Sequence, residues 1–340
     1  MKGKLFFRAD GNSKLGLGHI VRCLSIIQMV CDYFDCVMIV NNADKSVLNI
    51  INDVCRFVDL KAEDSINEIE KIRSIVQNTD IIIIDGYGFD ITYQIELGKI
   101  AKKLVAIDDL SGKEFAVDVI INHGDILALP SYQALKYTQI YSGFDYLIVR
   151  PDFIKASFIK KNVTPINTIF ICMGGADPFN ITTKVIEACS QCDFIQKIIV
   201  VIGGAYNNKA DLNNLFAKIN NVSIEIIENA TETQMVNSIR RSQIAISTSS
   251  TISLEICCVK SALISGTVVD NQNAIHSLLI NNGCCLSVGD WNKICVADIK
   301  TAIYSLNDTL TVQKIIDAQT KSIDGSSPIR ILNIFKNLAA

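Results

Sequence analysis

The first thirty residues predict a strand, a loop and a helix in succession. The apolar run Leu5-Phe6-Phe7 is followed by a polar segment with glycines at 16 and 18, and then by Ile20, Leu24 and Ile27 at helical spacing. Glycines let a ligand approach the backbone closely, and the first turn of a helix offers unpaired N–H groups to an anion. We therefore expect an anion-binding loop here, with the imidazole of His19 at the start of the helix.

The next apolar runs predict a parallel sheet covered by helices. Asp80-Ile-Ile-Ile-Ile-Asp85 has four consecutive isoleucines, a pattern typical of a strand buried on both faces. This run and two later ones end in polar residues, at Asp85, at Asp108-Asp109 and at Asn122-His123. Because ligands bind at the carboxyl ends of parallel strands, these tips predict one rim of a site.

A second α/β series follows a segment of three prolines, residues 130–165, that is typical of a linker. Thr168–Met173 starts the new series, and four further strand-like runs follow it. The predicted fold class is α/β, with two Rossmann-like domains facing a cleft, residues 1–150 and residues 151–340. The last helical segment, residues 328–338, has a pattern that suits packing on either half.

Composition excludes several classes of partner. The chain has 340 residues, of which 49% are hydrophobic, enough for two cores. Its formal net charge of -3 predicts no general attraction to nucleic acid or to an anionic bilayer. No apolar run approaches a membrane span, and the first residues lack the apolar segment of a signal peptide. We expect a cytoplasmic protein with small-molecule or protein partners and no membrane insertion.

The 12 cysteines do not predict a disulfide framework. Most lie in apolar segments, so buried free thiols are expected. Cys189-Ser-Gln-Cys192 is the one Cys-x-x-Cys, and no second pair lies at zinc spacing from it. We expect no metal site, no redox role and no cofactor.

Two loops have the residue types of a nucleotide site. The loop before His19 lacks the lysine of a P-loop and the third glycine of a dinucleotide fingerprint, which argues against ATP hydrolysis and NAD. Ser247–Thr251 has five consecutive hydroxyl residues at a predicted helix start, where an N-cap needs one, and suits a pyrophosphate. Glu255, one turn further on, can accept hydrogen bonds from two ribose hydroxyls. Gly174-Gly175 forms a second glycine turn after a strand.

The order of these motifs resembles that of a known family. The motifs are Arg8-x-Asp10 with Gly16-x-Gly18-His19-x-x-Arg22, Ile84-Asp85-x-Tyr87-Gly88, residues 143–153, Cys172-Met-Gly-Gly-x-Asp177, Ser249–Glu255 and Asn271-Gln272. Together they resemble the UDP-2,4-diacetamido-2,4,6-trideoxy-β-L-altropyranose hydrolases of pseudaminic acid biosynthesis, relatives of the MurG-like glycosyltransferases with the GT-B fold. The resemblance implies a metal-independent enzyme that releases UDP by attack of water at the anomeric carbon, with inversion.

The resemblance also implies roles for individual residues. His19 is implied as the catalytic base, the first domain as the carrier of its loop, and the second domain as the one that binds UDP. The implied substrate-binding residues are Gly16, Gly18, Arg22, Tyr87, Asn271 and Gln272, and the implied UDP-binding residues are Gly174, Gly175, Thr248, Ser249, Ser250 and Glu255.

The residue types agree with this chemistry. UDP is a good leaving group, so the enzyme needs to orient a water, accept its proton and stabilise charge on the diphosphate. The paired carboxylates of ordinary glycosidases are then unnecessary, because their acid protonates a poor leaving group. A neutral His19 can accept the proton, and Asp108 or Asp109 is a candidate to hold its tautomer.

Several positions have more than one interpretation. Arg22 either orients a phosphate or pairs with Asp10. His123 ends a strand and is a candidate to face the cleft, whereas the context of His276 favours a surface or packing role. Gly86 lies where many members of the family have a side chain, which leaves the N-acyl groups of the sugar open.

Three other functions remain open from the sequence. One is a glycosyltransferase that delivers the sugar to an acceptor; a lipid acceptor would need an apolar and basic patch, and residues 1–130 show none. Another is a hydrolysing UDP-sugar 2-epimerase, whose chemistry usually requires several acidic side chains around the sugar. The third is a non-catalytic nucleotide-sugar binding protein, in which His19 would only contact the ligand.

Overall fold

The structure is a computed structural model that describes residues 2–11 and 17–340. The chain divides into two compact units, residues 1–148 together with 326–340, and residues 149–325. Each unit is built on a parallel sheet whose side chains pack against helices. The predicted α/β class with two Rossmann-like domains is confirmed.

The first unit contains a seven-stranded parallel sheet in the order β3-β2-β1-β4-β5-β7-β9, and a small two-stranded sheet of β6 and β8. The strands are β1 Lys4–Ala9, β2 Asp35–Val40, β3 Arg56–Asp59, β4 Ile81–Asp85, β5 Lys103–Ile107, β6 Glu114–Phe115, β7 Val119–Asn122, β8 Gln133–Ala134 and β9 Gln139–Ser142. The helices are α1 Gly18–Val30, α2 Lys45–Asn52, α3 Ser65–Ile75, α4 Ile91–Gly98 and, at the end of the chain, α13 Ser327–Ala339.

The second unit contains a six-stranded parallel sheet in the order β12-β11-β10-β13-β14-β15. The strands are β10 Thr168–Cys172, β11 Lys197–Ile202, β12 Ser223–Glu228, β13 Ile244–Thr248, β14 Ala262–Thr267 and β15 Cys285–Asp290. The helices are α5 Pro151–Ser157, α6 Ile181–Ser190, α7 Lys209–Phe216, α8 Glu232–Arg241, α9 Thr251–Val259, α10 Asn273–Asn281, α11 Val296–Ser305 and α12 Thr309–Ser322.

Strand β4 explains why the first sheet is covered on both faces. Ile81 and Ile83 lie in the core that contains α1, and Ile82 and Ile84 lie in the core that contains α4. All four isoleucines are at most 2% exposed. Successive residues of a strand face opposite sides, so a continuous apolar run fills both cores. The strand predicted from the four isoleucines is confirmed.

The last helix packs on the first unit. Ile331, Leu332 and Phe335 of α13 lie in its core, and the ring of Phe335 is 6.4 Å from the rings of both Phe7 and Phe34. The predicted range 151–340 for the second domain is therefore wrong for residues 326–340. An apolar helix face fits either core by its pattern alone, and only the tertiary contacts decide between them.

The segment predicted as a linker is ordered structure shared by the two units, with residues 130–148 in the first and residues 149–165 in the second. Strand β9 lies within it and extends the sheet beside β7, from the pair Val119 and Gln139 to the pair Asn122 and Ser142. The chain leaves the first unit after Ile148. Pro130 and Pro165 thus flank the edge strand β9, the short helix α5 and the point where the chain passes from the first unit to the second.

Each sheet has one point where the strand order reverses. In the first unit the chain passes from β1 outward to β2 and β3 and returns to β4 on the other side of β1. In the second it passes from β10 to β11 and β12 and returns to β13 on the other side of β10. The loops that follow such neighbouring strands diverge, and the crevice between them is where open parallel sheets bind ligands.

The cysteines are thiols rather than disulfides. All twelve are unpaired and most are buried, as predicted. In residues 2–11 and 17–340, no group of three or more His, Cys, Asp or Glu has the arrangement of a metal site. No helix in those ranges has the length and apolarity needed to cross a bilayer.

The close approach of two turns in the second unit leads to a stability prediction. A methyl group on Gly203 would lie 2.5 Å from the carbonyl oxygen of Gly175, so the backbones would have to separate. We expect Gly203→Ala to lower the free energy of unfolding by about 1–3 kcal/mol in urea titrations. Gly175→Ala is the matched control: its methyl meets no described atom within 4 Å, and it should cost less than about 0.5 kcal/mol. Equal stability of the two variants would show that the close approach at Gly203 places no constraint on the fold.

Candidate active site

His19, Arg22 and Asp85 meet at the reversal point of the first sheet. His19 and Arg22 lie one turn apart near the start of α1, on one face of the helix, and Asp85 ends β4. Nδ1 of His19 is 2.7 Å from Oδ1 of Asp85. Arg22 donates to both carboxylate oxygens of Asp85, from Nη2 at 2.5 Å and from Nε at 2.9 Å. Gly18 begins α1, and Gly16 lies outside the described residues.

The cluster is buried and has an excess of negative charge. Nη1 of Arg22 donates to Oδ2 of Asp109 at 2.8 Å, so two carboxylates share one guanidinium. Burial raises the pKa of the Asp85 carboxyl, but the charge of Arg22 and the hydrogen bonds from His19 and Arg22 outweigh it, and this pKa lies below its ordinary value. Burial likewise opposes the charge of Arg22, and the two carboxylates outweigh it and raise its pKa. Asp85 and Arg22 are both ionised at neutral pH.

The carboxylate of Asp85 determines the tautomer of His19. If Nδ1 had no proton, its lone pair would face that of an ionised carboxylate oxygen at 2.7 Å. A proton on Nδ1 removes this repulsion and leaves Nε2 with a free lone pair. Nη2 of Arg22 lies 2.9 Å from the same Nδ1, and in this tautomer it donates to Oδ1 of Asp85 instead. No described residue hydrogen-bonds to Nε2, and the His19 side chain is 19% exposed. The imidazole is thus oriented by a carboxylate at one nitrogen and able to accept a proton at the other.

The carboxylate that contacts His19 is not one that the sequence indicated. Asp108 and Asp109 were the expected partners, and the structure assigns both to other groups. Asp108 accepts hydrogen bonds from two loop amides and from the Tyr132 hydroxyl at 2.8 Å, and Asp109 pairs with the arginine described above. The signal for Asp85 was its position at the end of a buried strand within the Ile84-Asp85-x-Tyr87 motif.

Arg22 and His123 also differ from expectation. Asp10 binds Arg8 rather than Arg22, with contacts of 2.5 and 2.7 Å. Arg22 is 5% exposed with all three guanidinium nitrogens engaged, so it positions the carboxylates instead of contacting substrate directly. His123 is 1% exposed, and burial together with the positive charge of Arg22 lowers its pKa to about 4. It is a neutral, buried group.

Tyr87 lies beside the histidine. Its ring meets that of His19 edge to face, with centroids 4.8 Å apart, and its hydroxyl is 3.2 Å from Oδ2 of Asp109. Tyr87 is 48% exposed, so its outer edge is accessible to a ligand. Gly86 has φ of +156°, and a Cβ there would lie 3.0 Å from the ring of Phe89. A side chain at this position would therefore strain the loop that presents Tyr87.

The hydroxyl-rich loop of the second unit lies at the second reversal point, between β13 and α9. The hydroxyls of Thr248 and Ser250 are 3.1 Å apart. Ser250 is the N-cap residue of α9, yet its side chain makes no capping hydrogen bond. The amides of Thr251 and Ile252 make no backbone hydrogen bond within the described residues. Ordinary capping therefore does not explain these hydroxyls, and the first turn of α9 retains donors for an anion.

Ser249 is fully buried within a hydrogen-bonded chain. Its hydroxyl is 2.8 Å from that of Ser265 and 2.7 Å from Nδ1 of His276, and Nε2 of His276 is 3.0 Å from the Ser287 hydroxyl. Ser265 donates to the carbonyl of Ser247, so Ser249 donates to Ser265 and accepts from His276. Ser249 consequently has no hydroxyl proton for a ligand, contrary to its expected role. His276 is a polar bridge, and burial lowers its pKa and keeps it neutral.

Glu255 is engaged by an arginine to which the sequence pattern gave no role. Nε and Nη2 of Arg150 donate to the two carboxylate oxygens at 2.7 and 2.8 Å, and Glu255 is 3% exposed. Each carboxylate oxygen has a second lone pair, so this pair still leaves acceptors for two hydroxyls. The two hydrogen bonds from Arg150 also fix the orientation of the Glu255 carboxylate.

The remaining expected contacts lie at the same edge of the second sheet. Gly174, with φ of +97°, and Gly175 follow β10, and a Cβ on either would meet no described atom within 4 Å. Asp177 caps α6 by accepting from two amides at 2.7 and 2.9 Å. Asn271 and Gln272 form a 3₁₀ turn after β14, and Gln272 accepts from the amide of Val268 at 2.7 Å. Gln272, rather than Asn271, is the N-cap of α10.

Comparison with curated proteins gives full-length relatives at low identity. No protein-family profile matches the chain. The chain is 24% identical over 287 residues to the UDP-2,4-diacetamido-2,4,6-trideoxy-β-L-altropyranose hydrolase of Campylobacter jejuni, which covers 82% of this chain and 97% of that protein. The resemblance inferred from the motifs is confirmed.

Two further relatives are similar at comparable identity. The spore coat polysaccharide biosynthesis protein SpsG of Bacillus subtilis is 24% identical, with 97% of both chains covered. An uncharacterised protein of Methanocaldococcus jannaschii is 26% identical over 63% of this chain, but the aligned part spans only 46% of that longer relative.

Solved structures match over nearly the whole chain. MurG of Acinetobacter baumannii superposes with a TM-score of 0.69 at 10% identity, covering 99% of this chain and 100% of that one. MnaA of Staphylococcus aureus, solved with UDP, has a TM-score of 0.64 at 13% identity and covers 99% of this chain and 98% of that one. At these identities the likeness establishes the fold, which is of the GT-B type.

The shared guanidinium leads to a prediction with a defined pH dependence. Arg22→Met leaves Asp85 and Asp109 buried without a cation, and we expect a loss of about 3–5 kcal/mol in the free energy of unfolding at pH 7. In the wild type, the folded-state pKa of Asp85 is below its ordinary 3.8, so its stabilising effect is present above that pH and is lost as the pH falls further. In the variant the buried carboxylates favour protonation.

The difference in the free energy of unfolding between wild type and Arg22→Met should therefore become smaller as the pH falls from 7 towards 4. Urea titrations of both proteins across this pH range measure that difference. A deficit that stays constant with pH would contradict the assignment of Arg22 as the counter-charge of these carboxylates.

Proposed function

We propose that this chain is an enzyme of UDP-sugar metabolism that hydrolyses a UDP-activated 2,4-diacetamido-2,4,6-trideoxy sugar. It releases UDP and the free sugar with inversion at the anomeric carbon, as a step of nonulosonic (pseudaminic) acid biosynthesis. The observation that carries the proposal is the Asp85–His19 pair at the reversal point of the first sheet. Similarity over 82% of the chain to a hydrolase of that substrate class supports it.

The chemical step needs one base and one leaving group. A water oxygen forms a bond to the anomeric carbon as the bond to the diphosphate oxygen breaks, and that electron pair leaves with UDP. Nε2 of His19 accepts the water proton. Asp85 accepts the hydrogen bond from Nδ1–H, and the excess negative charge of Asp85 and Asp109 over Arg22 stabilises the imidazolium that forms. Direct attack by water inverts the anomeric centre.

The second unit supplies the groups that suit UDP. Thr248 and Ser250, with the two free amides of α9, are donors for the diphosphate, and the helix dipole favours the charge that develops there. Gly174 and Gly175 leave open space for close approach of the ligand. Glu255, oriented by Arg150, accepts from the ribose hydroxyls. Ser249 supports this loop from beneath through its buried bonds.

In the first unit, the exposed edge of Tyr87 is proposed as a contact for the sugar. In the second unit, Asn271 and Gln272 are proposed as substrate-binding residues. Gly18, where an added Cβ would meet no described atom within 4 Å, allows the sugar close to His19. Side-chain amides of the asparagine and glutamine type both donate and accept, which suits the two acetamido groups.

A glycosyltransferase on the same fold is the alternative, since the chain superposes on MurG over 99% of its length. The same histidine would then deprotonate an acceptor hydroxyl instead of a water. A non-catalytic UDP-sugar binding protein is the other alternative, and it predicts no turnover at all.

The histidine–carboxylate pair is tested by substitution. With the UDP-diacetamido-trideoxy sugar and no acceptor, we expect His19→Ala to slow UDP release by about 10²–10⁴-fold, because the base is absent. Asp85→Asn should slow it by up to about 10⁴-fold, because an amide favours the wrong tautomer of His19. A coupled assay for UDP measures both rates.

UDP affinity serves as the control in this test, because neither residue belongs to the UDP loops and both variants should bind UDP like the wild type. His19→Ala with wild-type turnover would overturn the mechanism. No UDP release by the wild-type enzyme until an acceptor is added would favour the glycosyltransferase.

The histidine bridge of the second unit gives a matched pair of variants. The amide of His276→Asn reaches the position of Nδ1 and can keep the bond to Ser249, whereas His276→Gln reaches that of Nε2 and keeps only the bond to Ser287. We expect near wild-type UDP affinity for the asparagine variant and about tenfold weaker affinity for the glutamine variant, the effect of one hydrogen bond. Isothermal calorimetry measures this. Identical affinities would show that Ser249 does not support the UDP loop.

A further inference from the structure

A cavity of about 320 Å³ lies in the second unit at the amino-terminal edge of its sheet. Lys260, one of its lining residues, follows α9 and precedes β14, whereas the hydroxyl-rich loop precedes α9. The two ends of this nine-residue helix are separated by about 13 Å at 1.5 Å per residue. The cavity is therefore distinct from the proposed UDP site, and binding there does not depend on hydrolysis.

The lining of the cavity has an excess of positive charge. Lys160, Lys161 and Lys260 line it, and none of their amines forms an ion pair with a described residue. Asp317, the acidic residue of the lining, accepts instead from the amide of Gln313 at 2.7 Å. Lysine amines without a counter-ion in a concave site favour binding of an anion.

Two of these lysines are held in position by the fold. Nζ of Lys161 donates to the carbonyls of Ser242 at 2.5 Å and Ile239 at 3.1 Å, which leaves its third proton for another acceptor. Lys260 is 6% exposed and has a left-handed backbone, with φ of +66°. Neither can turn fully to bulk water. Each is costly to keep charged without a partner.

The pKa values of these lysines agree with that cost. Burial, reinforced by the positive charge of Arg240, lowers the pKa of Lys161 to about 7. Burial also lowers the pKa of Lys260. The carbonyls that accept from Lys161 act in the opposite direction, and an anion would add to them by favouring both ammonium forms.

We propose that this cavity is a binding site for the phosphoryl group of a small phosphorylated molecule. Lys161 and Lys260 provide the charged donors for the phosphate oxygens. Phe158 and Ile316 give the cavity an apolar wall for the carbon part of the ligand. The ring of Phe158 packs over Gly325 on one side and is 69% exposed, so its other face is accessible to a ligand. The volume suits a small ligand.

Calorimetry with inorganic phosphate, in the presence of saturating UDP to occupy the nucleotide loops, tests the proposal. We expect wild-type protein to bind phosphate and Lys260→Met to bind it at least about tenfold more weakly, the effect of one charge-assisted hydrogen bond. Thr320→Asp, an exposed position in the lining, should weaken binding by repulsion without a change in the core. Lys209→Met is the control, since this exposed lysine pairs with Glu228 elsewhere.

Any one of four results would overturn the proposal. The first is phosphate binding that UDP abolishes, which would assign it to the nucleotide loops. The second is no binding by the wild type, and the third is binding that Lys260→Met and Thr320→Asp leave unchanged. The fourth is equal weakening by Lys209→Met, because it would indicate general surface charge instead of a defined site.

Covalent mapping gives a readout that does not depend on variants. The neutral amine of a lysine attacks the aldehyde of pyridoxal 5′-phosphate, water leaves, and borohydride reduces the imine to a stable secondary amine. We expect mass spectrometry to find Lys161 or Lys260 labelled faster than Lys209, with inorganic phosphate protecting the cavity lysines alone. Labelling that is equal at all three lysines, or unaffected by phosphate, would overturn the assignment.

Discussion

The ion pair between Arg22 and Asp85 is the constraint on which the first unit's site depends. Four isoleucines fix β4 in the middle of the sheet, and the strand ends in a carboxylate that is 0% exposed. A buried carboxylate remains ionised only if a cation lies beside it. Arg22, one turn beyond His19 on α1, is that cation for Asp85. The same carboxylate orients His19. Folding and the proposed proton transfer therefore depend on one buried interaction, which explains why a charged cluster persists at the edge of an apolar core.

The second unit uses the same topology, with neutral groups in the loop at the reversal point and one ion pair, between Arg150 and Glu255 of the helix that follows the loop. Its crevice also lies between the two strands where the order reverses, β10 and β13. The loop there relies on hydroxyls, helix amides and a neutral histidine bridge in place of buried ion pairs. The diphosphate proposed to bind at this loop has its own charge, so hydrogen-bond donors and a helix dipole suffice for it. In the proposed hydrolysis, the water that loses a proton needs a base held by a carboxylate, and His19 and Asp85 of the first unit are the proposed pair.

Local pattern predicted the strands, the helix starts and the sites at the strand tips, because these depend on residues close in sequence. The partner of His19 did not follow from pattern. Asp85 is far from it along the chain, and the register that aligns β1 with β4 brings them together. The contacts of Ser249 also did not follow from pattern. Its hydroxyl was expected to face a ligand, but it hydrogen-bonds instead to Ser265 and His276, which are distant in sequence. The last helix was ambiguous because an apolar face fits either core.

The proposed role of the Asp85–His19 pair is to activate water for a single displacement at the anomeric carbon. Proton NMR of the wild-type protein with the UDP-diacetamido-trideoxy sugar, without acceptor or metal, follows the anomeric signal during turnover. We expect free sugar to appear first as the anomer opposite to that of the substrate and then to equilibrate. First appearance of the retained anomer, or an intact substrate signal until an acceptor is supplied, would contradict the single displacement by water.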